Sequence, residues 1–506
     1  MSTNILFIFE GEKREKSITD NLTQFSELKT KTTKSLFWNF LDKFGEQAIY
    51  LVSSVVLMNI IAPSEYGLMG VLLIFIVVSR LLADSGFGRA LLTQKTISDR
   101  ELSSVFYFNI GLSFLLYFAF FLCTPLIASL FDEPRLISIA KVLFLGFVFH
   151  SFGLIPQMLL MKKSDFRGLT KINIPALLVA VTVAIVMALN GFGVWALVAQ
   201  SVIYAFLRTV FLWIYSSWRP VAQFSMNVIK SLFAFSNKLL LSGFIAAFFN
   251  NIYPSIIAIF YPNAMNQVGY FTQANKYQDV PFGVISNTFR MVAMVTLSEI
   301  NQETERMKRV IGKTMKSIAF LVFPIGLFMI LVAESAFSLL FPEKWLPAVP
   351  YFQGLALAGM LTPFTFILNE LFIARRRADF FLGVEIVKRV ILVLLIVLLF
   401  QYGIMGLVAS WVIYTFITLI ISLVLSRKLI DYNAFDFLKD ALPYLLIAFV
   451  SGAIAYVATL FVSHHLLFLV VSAAVVFGGY WLICKIMRLE MMKEIEGLMA
   501  RKKEIS

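Results

Sequence analysis

Two cations and a carboxylate lie where a membrane-crossing run should be apolar. The stretch Gly269–Glu299 reads GYFTQANKYQDVPFGVISNTFRMVAMVTLSE. It is long enough to cross a bilayer, since about 20 residues rising about 1.5 Å each suffice. At about 100° per residue, Thr272, Lys276, Asp279, Gly283, Asn287 and Arg290 fall within an arc of roughly 80°. The opposite side is Phe, Val, Ile and Met. Charge facing lipid costs several kcal/mol, so the stripe has to face protein or a water-filled cavity. The chemistry it offers is electrostatic, with ammonium, guanidinium and carboxylate groups held out of lipid. Pro281 removes a backbone hydrogen bond midway and is expected to kink the helix.

A second stripe lies near the start of the chain. Asn39, Asp42, Lys43, Glu46, Tyr50 and Ser53 fall within about 100° on a helical wheel. Asp42, Lys43 and Glu46 can pair at i,i+3 and i,i+4. A solvated helix start, with Lys43 snorkelling, is the plain alternative for the first two. Glu46 and Tyr50 lie deeper and favour a cavity. Arg80 stands four residues before Asp84, a spacing that suits an ion pair. Arg208 is too deep in its apolar run to snorkel easily, and Lys238 lies near the start of another. Thr362, Thr365 and Asn369 share a face, although such hydroxyls often bond backbone carbonyls. Glu385, Lys388 and Arg389 read as a self-paired start to a span. The candidate cavity residues are therefore Lys276, Arg290, Asp279, Asn287, Lys43, Glu46, Tyr50, Arg80, Arg208 and Lys238. Two cysteines and three histidines without ligand-like spacing make a metal site improbable, and no cofactor is expected.

The elements that must position these groups are helices. Of 506 residues, 59% are hydrophobic and only 14% charged, where soluble domains are nearer about 25% charged. The alternation of a β-barrel is absent, so the fold expected is an all-α polytopic membrane protein. Fourteen apolar spans can be counted: 36–61, 66–83, 103–128, 139–161, 172–190, 192–217, 232–258, 268–299, 315–341, 348–373, 380–400, 403–426, 441–462 and 466–485. With the N-terminus in the cytoplasm, inner segments hold about 32 Lys and Arg and outer segments about 3, as the positive-inside rule requires. That rule, rather than nucleic-acid binding, accounts for the net charge of +13. Both termini are then cytoplasmic and every outer loop is short. No outer domain large enough for a membrane-embedded glycan polymerase or ligase is present, so no enzyme is expected.

The turn Ile60–Gly67 between spans one and two resembles the turn Ile259–Gly269 between spans seven and eight. Each is an apolar run, then a proline, then a glycine opening the next helix, which suggests a six-plus-six repeat of the kind transporters use. The expected organisation is a cytoplasmic tail at 1–33, an N-lobe of six helices at 34–219, a C-lobe of six at 220–428, two further helices at 429–487 and a second cytoplasmic tail at 488–506.

Residues Asn59–Lys95 carry a family resemblance. Pro63, Tyr66 and Gly67 match an L-x-P-x-x-(Y/F)-G turn, with Ala62 in place of the usual residue before proline. Asp84, Gly86, Phe87, Gly88, Ala90 and Leu91 match a D-x-G-(F/L)-G-x-A-L loop. Together with VGYFTQANKYQDVPFGVIS they resemble the bacterial polysaccharide-exporter flippases of the multidrug/oligosaccharidyl-lipid/polysaccharide exporter superfamily, from about Lys34 to Arg488. The resemblance implies two six-helix lobes in a V around a cationic cavity. It also implies alternating access that carries an undecaprenyl-diphosphate-linked glycan across the bacterial cytoplasmic membrane. The cations would then meet a diphosphate, and Tyr50, Tyr270 and Tyr277 would suit sugars. Efflux of cationic drugs by a superfamily relative is the alternative, but it needs an anionic cavity. No P-loop is present, so a proton or sodium gradient, or the membrane potential, is the expected drive, with Asp42 and Glu46 as coupling candidates. A monomer among membrane lipids, working with the glycan polymerase machinery, is the expected setting.

Overall fold

The computed structural model describes residues 38, 41–84, 86–88, 91, 97–261, 264–375 and 378–505. Within these, the side chains at 235, 236, 238, 239, 242, 295, 378–382 and 498–505 lie outside the described set. The expected tail at 1–33, Asn39, Ala90 and the side chain of Lys238 fall outside it too. The described residues form helices and no strand. In chain order these are α1 (41–60), α2 (Pro63–Asp84), α3 (Asp99–Leu130), α4 (Leu136–Leu143), α5 (Leu145–Lys162), α6 (Phe166–Leu189), α7 (Val194–Tyr215), α8 (Met226–Asn250) and α9 (Ile252–Phe260). There follow α10 (Ala264–Glu299), α11 (Thr304–Leu340), α12 (Val349–Ala374), α13 (Ala378–Leu399), α14 (Gly403–Ile430), α15 (Ala434–Thr459), α16 (His465–Ala473), α17 (Gly479–Ile486) and α18 (Glu490–Ile505).

Local sequence sets the ends. The Ser98 hydroxyl accepts from the Glu101 amide, and the Glu101 carboxylate accepts from the Ser98 amide, closing a capping box at the start of α3. Asn433 and Asp436 do the same for α15. The expected turns at Asn190–Gly191 and Gln401–Gly403 are present. Each has its glycine at positive φ, +81° and +74°, where a Cβ would be strained.

Among the described residues eleven helices are long and apolar enough to span a membrane, or twelve if α9 and the end of α8, bent by 41° at Asn251, are one span. The sequence count of fourteen differs in two places. It takes α1 as a span, and it counts α13 and α14, which the turn before Gly403 separates, as two spans where length and apolarity alone give one stretch over Gly383–Ile430. Helix α10 continues through Pro281 as one element of 36 residues, about 54 Å long and so longer than the roughly 30 Å apolar layer.

The chain divides into two compact units. The first holds residues to Leu57 and Phe75–Ile245, and the second holds Met58–Ile74 and Ala246–Ser506. These boundaries fall inside α1, α2 and α8, whereas the lobes at 34–219 and 220–428 followed helix count. The first unit packs Phe87, Leu102, Phe106, Ile155 and Leu232 into one cluster. The second is built on α11, α12 and α15, with Met315, Ile318, Phe364 and Ala448 buried among them.

The segment Met58–Ile74 is fixed to its unit by backbone contact. A Cβ placed on Gly67 would lie 1.9 Å from the Met265 carbonyl oxygen, and one on Gly269 would lie 2.0 Å from that of Pro63. The two glycines of the two similar turns thus each admit the other turn's main chain. Trp345, fully buried, donates from Nε1 to the Met58 carbonyl at 2.8 Å and stands edge-on to Tyr66 and Tyr270.

Candidate functional site

The candidate cavity side chains gather in two places, one in each unit. In the first unit, α1 brings Asp42, Lys43, Glu46 and Tyr50 along one side. Asp42 is only 3% exposed. Its carboxylate accepts from Asn173 Nδ2 on α6 at 3.2 and 3.3 Å, and Lys43 Nζ lies 3.5 Å away. Asn173 Oδ1 in turn accepts from Arg208 Nε on α7 at 2.8 Å. Glu46 accepts from Lys43 Nζ at 3.0 Å and from the Tyr204 hydroxyl at 2.9 Å. Tyr204 meets Tyr50 edge to face, with ring centroids 6.4 Å apart. Three helices are therefore joined by two polar chains that share Lys43. The lysine side chain is 67% exposed, as a snorkelling cation should be.

Arg80 extends this cluster. It is exposed and lies within electrostatic range of Arg208, Tyr50 and Tyr204. His150 on α5 is within range of both arginines. The expected Arg80–Asp84 ion pair does not form among the described residues. Arg80 instead joins a set of cationic and phenolic groups drawn from α1, α2, α5 and α7.

In the second unit the α10 stripe is exposed, but so are Val284, Met291, Val292 and Met294 of the same helix. Lys276, Asp279, Asn287 and Arg290 are exposed, while Gln273, Ala274, Gln278, Phe282 and Ser286 are buried. A polar side chain exposed on a membrane helix has to be met by water, by another polar side chain or by a polar ligand. Arg290 has a partner that the stripe alone did not reveal. Its Nε donates to Glu370 Oε1 on α12 at 2.5 Å. The Glu370 side chain is 4% exposed and that of Arg290 52%. The guanidinium is anchored on one side and open on the other.

Two other groupings can be set beside the sequence reading. Glu385, Lys388 and Arg389 are self-paired as expected, yet they also bind outward. Lys388 Nζ donates to Asn369 on α12 at 3.2 Å, and Arg389 donates to Asn250 on α8 at 3.1 Å. The Thr362 hydroxyl donates to the Ala358 carbonyl at 3.2 Å, which is the back-bonding role that such residues often have.

The structure thus brings Lys43, Glu46, Tyr50 and Arg208 together with Asp42, and groups Arg80 with them. It places Lys276, Asp279, Asn287 and Arg290 on a separate element of the second unit. The Lys238 side chain lies outside the described residues. Sequence reasoning missed Asn173, Tyr204, His150 and Glu370. Glu370 could have been found, since it is a carboxylate inside an apolar span and a search for buried acids, alongside cations, picks it out. Asn173 and Tyr204 carry no signal until α6 and α7 are packed against α1. Among the described residues no group of three or more His, Cys, Asp or Glu could hold a metal ion.

Comparisons with known proteins agree with this architecture. Residues 56–350, more than half of the chain, match the family described as "Polysaccharide biosynthesis protein". The succinoglycan biosynthesis transport protein ExoT of Rhizobium meliloti is 25% identical over 65% of this chain and 67% of its own length. The lipopolysaccharide biosynthesis protein WzxC of Escherichia coli is 25% identical over 70% and 72%. Among solved structures, the lipid II flippase MurJ, in an inward closed conformation, superposes with a TM-score of 0.73 at 13% identity, covering 89% of this chain and 99% of that one. An outward-facing multidrug resistance transporter of the MATE family in the MOP superfamily gives 0.52 at 16% identity, over 79% and 96%. These two likenesses concern the fold.

Proposed function

This chain belongs to the family of polysaccharide biosynthesis proteins, and from that premise we propose that it is a transporter moving an undecaprenyl-diphosphate-linked oligosaccharide across the bacterial cytoplasmic membrane by alternating access. The observation that carries the reading is the exposed Lys276–Arg290 stripe on a membrane helix. A lipid diphosphate brings two or more negative charges to membrane depth, and charge-assisted contacts to guanidinium and ammonium stabilise it there. The amide of Asn287 and the phenols of Tyr50, Tyr270 and Tyr277 suit sugar hydroxyls. The prenyl tail stays in lipid. The names of the relatives, a succinoglycan transport protein and a lipopolysaccharide biosynthesis protein, support a glycan cargo.

Arg80 and Arg208 supply the corresponding positive charge in the first unit. Asp42 and Glu46 are the groups through which a proton or sodium gradient would act, because each carboxylate already shares its hydrogen bonds with a neighbouring helix. Efflux of organic cations is the competing function. The charges of the two clusters favour an anionic cargo, since Lys276, Arg290, Arg80, Arg208 and Lys43 outnumber Asp279, Glu46, Asp42 and Glu370. A membrane-embedded polymerase or ligase is the third, and nothing in the two clusters favours it.

The test is genetic and simple. Lys276→Ala and Arg290→Ala, made separately, are expected to abolish surface glycan with the protein still present in the membrane. Normal surface glycan in both variants would overturn the role given to α10.

A further inference from the structure

A third polar cluster lies apart from the two stripes, inside the second unit, and its charges do not balance. Lys388 on α13 is 2% exposed and Arg389 is also buried. They share one carboxylate, with Lys388 Nζ at 3.1 Å from Glu385 Oε1 and Arg389 Nη2 at 3.5 Å from Glu385 Oε2. Their remaining partners, Asn369 and Asn250, are neutral amides. The carboxylate that follows Asn369 on α12 is Glu370, and Arg290 already occupies it. Among the described residues the cluster therefore holds one net positive charge within a membrane-spanning stretch.

Its donors are also in excess. Arg389 Nε is buried without an acceptor among the described residues. The Lys388 ammonium has three N–H groups and two acceptors. The guanidinium lies 5.8 Å from the centre of the Phe249 ring, which gives attraction but accepts no conventional hydrogen bond. Burying an uncompensated charge and an unpaired donor together is costly. A single small anion removes both penalties, because it cancels the charge and accepts from the unpaired N–H groups.

We propose that Lys388, Arg389 and Glu385 form a binding site for a small monovalent inorganic anion of the halide class, bridging α8, α12 and α13. The net charge of one sets the valence, and the burial of Lys388 sets the size. The site uses no residue of the two stripes, and its occupancy reads out without any transport.

The experiment is thermal unfolding of the purified full chain in detergent, in chloride or in gluconate at equal ionic strength. Gluconate matches the charge and is the bulky-anion control. Chloride at about ten times its dissociation constant is expected to raise the unfolding midpoint by about 2–3 °C. Lys388→Met should remove this dependence, and bromide should substitute for chloride in the parent protein. Glu385→Gln raises the net charge and should lower the chloride concentration for half effect at least tenfold. That variant decides the matter if Lys388→Met does not fold. Identical curves in chloride and gluconate would overturn the proposal. So would a chloride effect that persists in Lys388→Met, or one whose half-effect concentration is unchanged in Glu385→Gln.

Discussion

Arg290 can serve its unit in two ways, and its pairing with Glu370 lets them be separated. It neutralises a buried carboxylate, and it presents the rest of its guanidinium to whatever meets the α10 stripe. Consider Arg290→Gln, Glu370→Gln and the double variant. Removing one partner of a fully buried pair costs about 3–5 kcal/mol, while an exposed pair is worth about 0–1 kcal/mol. Here one side chain is 4% and the other 52% exposed, so the loss on Arg290→Gln is placed between these limits, at about 2 kcal/mol. For a unit of this size that lowers the unfolding midpoint by about 4–8 °C. In the double variant the buried carboxylate is gone, and stability should return to within about 1 kcal/mol of the parent. Transport should not return. A charge-assisted contact to a diphosphate is worth about 1.5–3 kcal/mol, so the double variant should carry glycan roughly 10- to 150-fold more slowly than the parent. The assays are thermal unfolding in detergent and the rate of surface glycan appearance in a strain lacking the native gene. Recovery of both stability and transport in the double variant would refute the argument, because Arg290 would then serve only Glu370.

Three further outcomes follow from the same geometry. Gly67→Ala and Gly269→Ala each place a Cβ about 2 Å from a backbone oxygen, which cannot swing aside as a side chain can. Each is expected to lower the unfolding midpoint by several degrees, and unchanged melting would contradict the contact. Asp42→Asn keeps the shape but loses the carboxylate that accepts from Asn173. It should leave the protein folded and make glycan export insensitive to collapse of the ion gradient, at a reduced rate; wild-type sensitivity to an ionophore would remove Asp42 from coupling. Tyr204→Phe deletes the hydrogen bond to Glu46 and should cost about 1 kcal/mol in unfolding, with no change pointing to an alternative partner for Glu46.

The helical membrane architecture and the α10 stripe were both legible in the sequence, because each depends on one helix at a time. Apolar runs announce spans, and a 3.6-residue period places Lys276, Asp279, Asn287 and Arg290 on one side wherever the helix packs. The glycine-marked turns were legible for the same reason. The partners were not. Glu370 meets Arg290 across 80 residues of sequence and Asn173 meets Asp42 across 131, and no local period encodes such distances. Lys388 shows the limit most plainly. Its spacing from Glu385 gave the self-pairing correctly, but its burial and its bond to Asn369 come only from how α12 and α13 pack.

The central claim is that the chain moves a lipid-linked glycan, and leaflet accessibility tests it directly. Purified protein would be placed in vesicles containing a lipid-diphosphate oligosaccharide in both leaflets, with an impermeant glycosidase outside. Without protein only the outer half should be cleaved. With the parent protein and an imposed ion gradient the inner half should become cleavable as well, and with Lys276→Ala it should remain protected. Protection of the inner half in the presence of the parent protein, or uptake of organic cations in its place, would contradict the account.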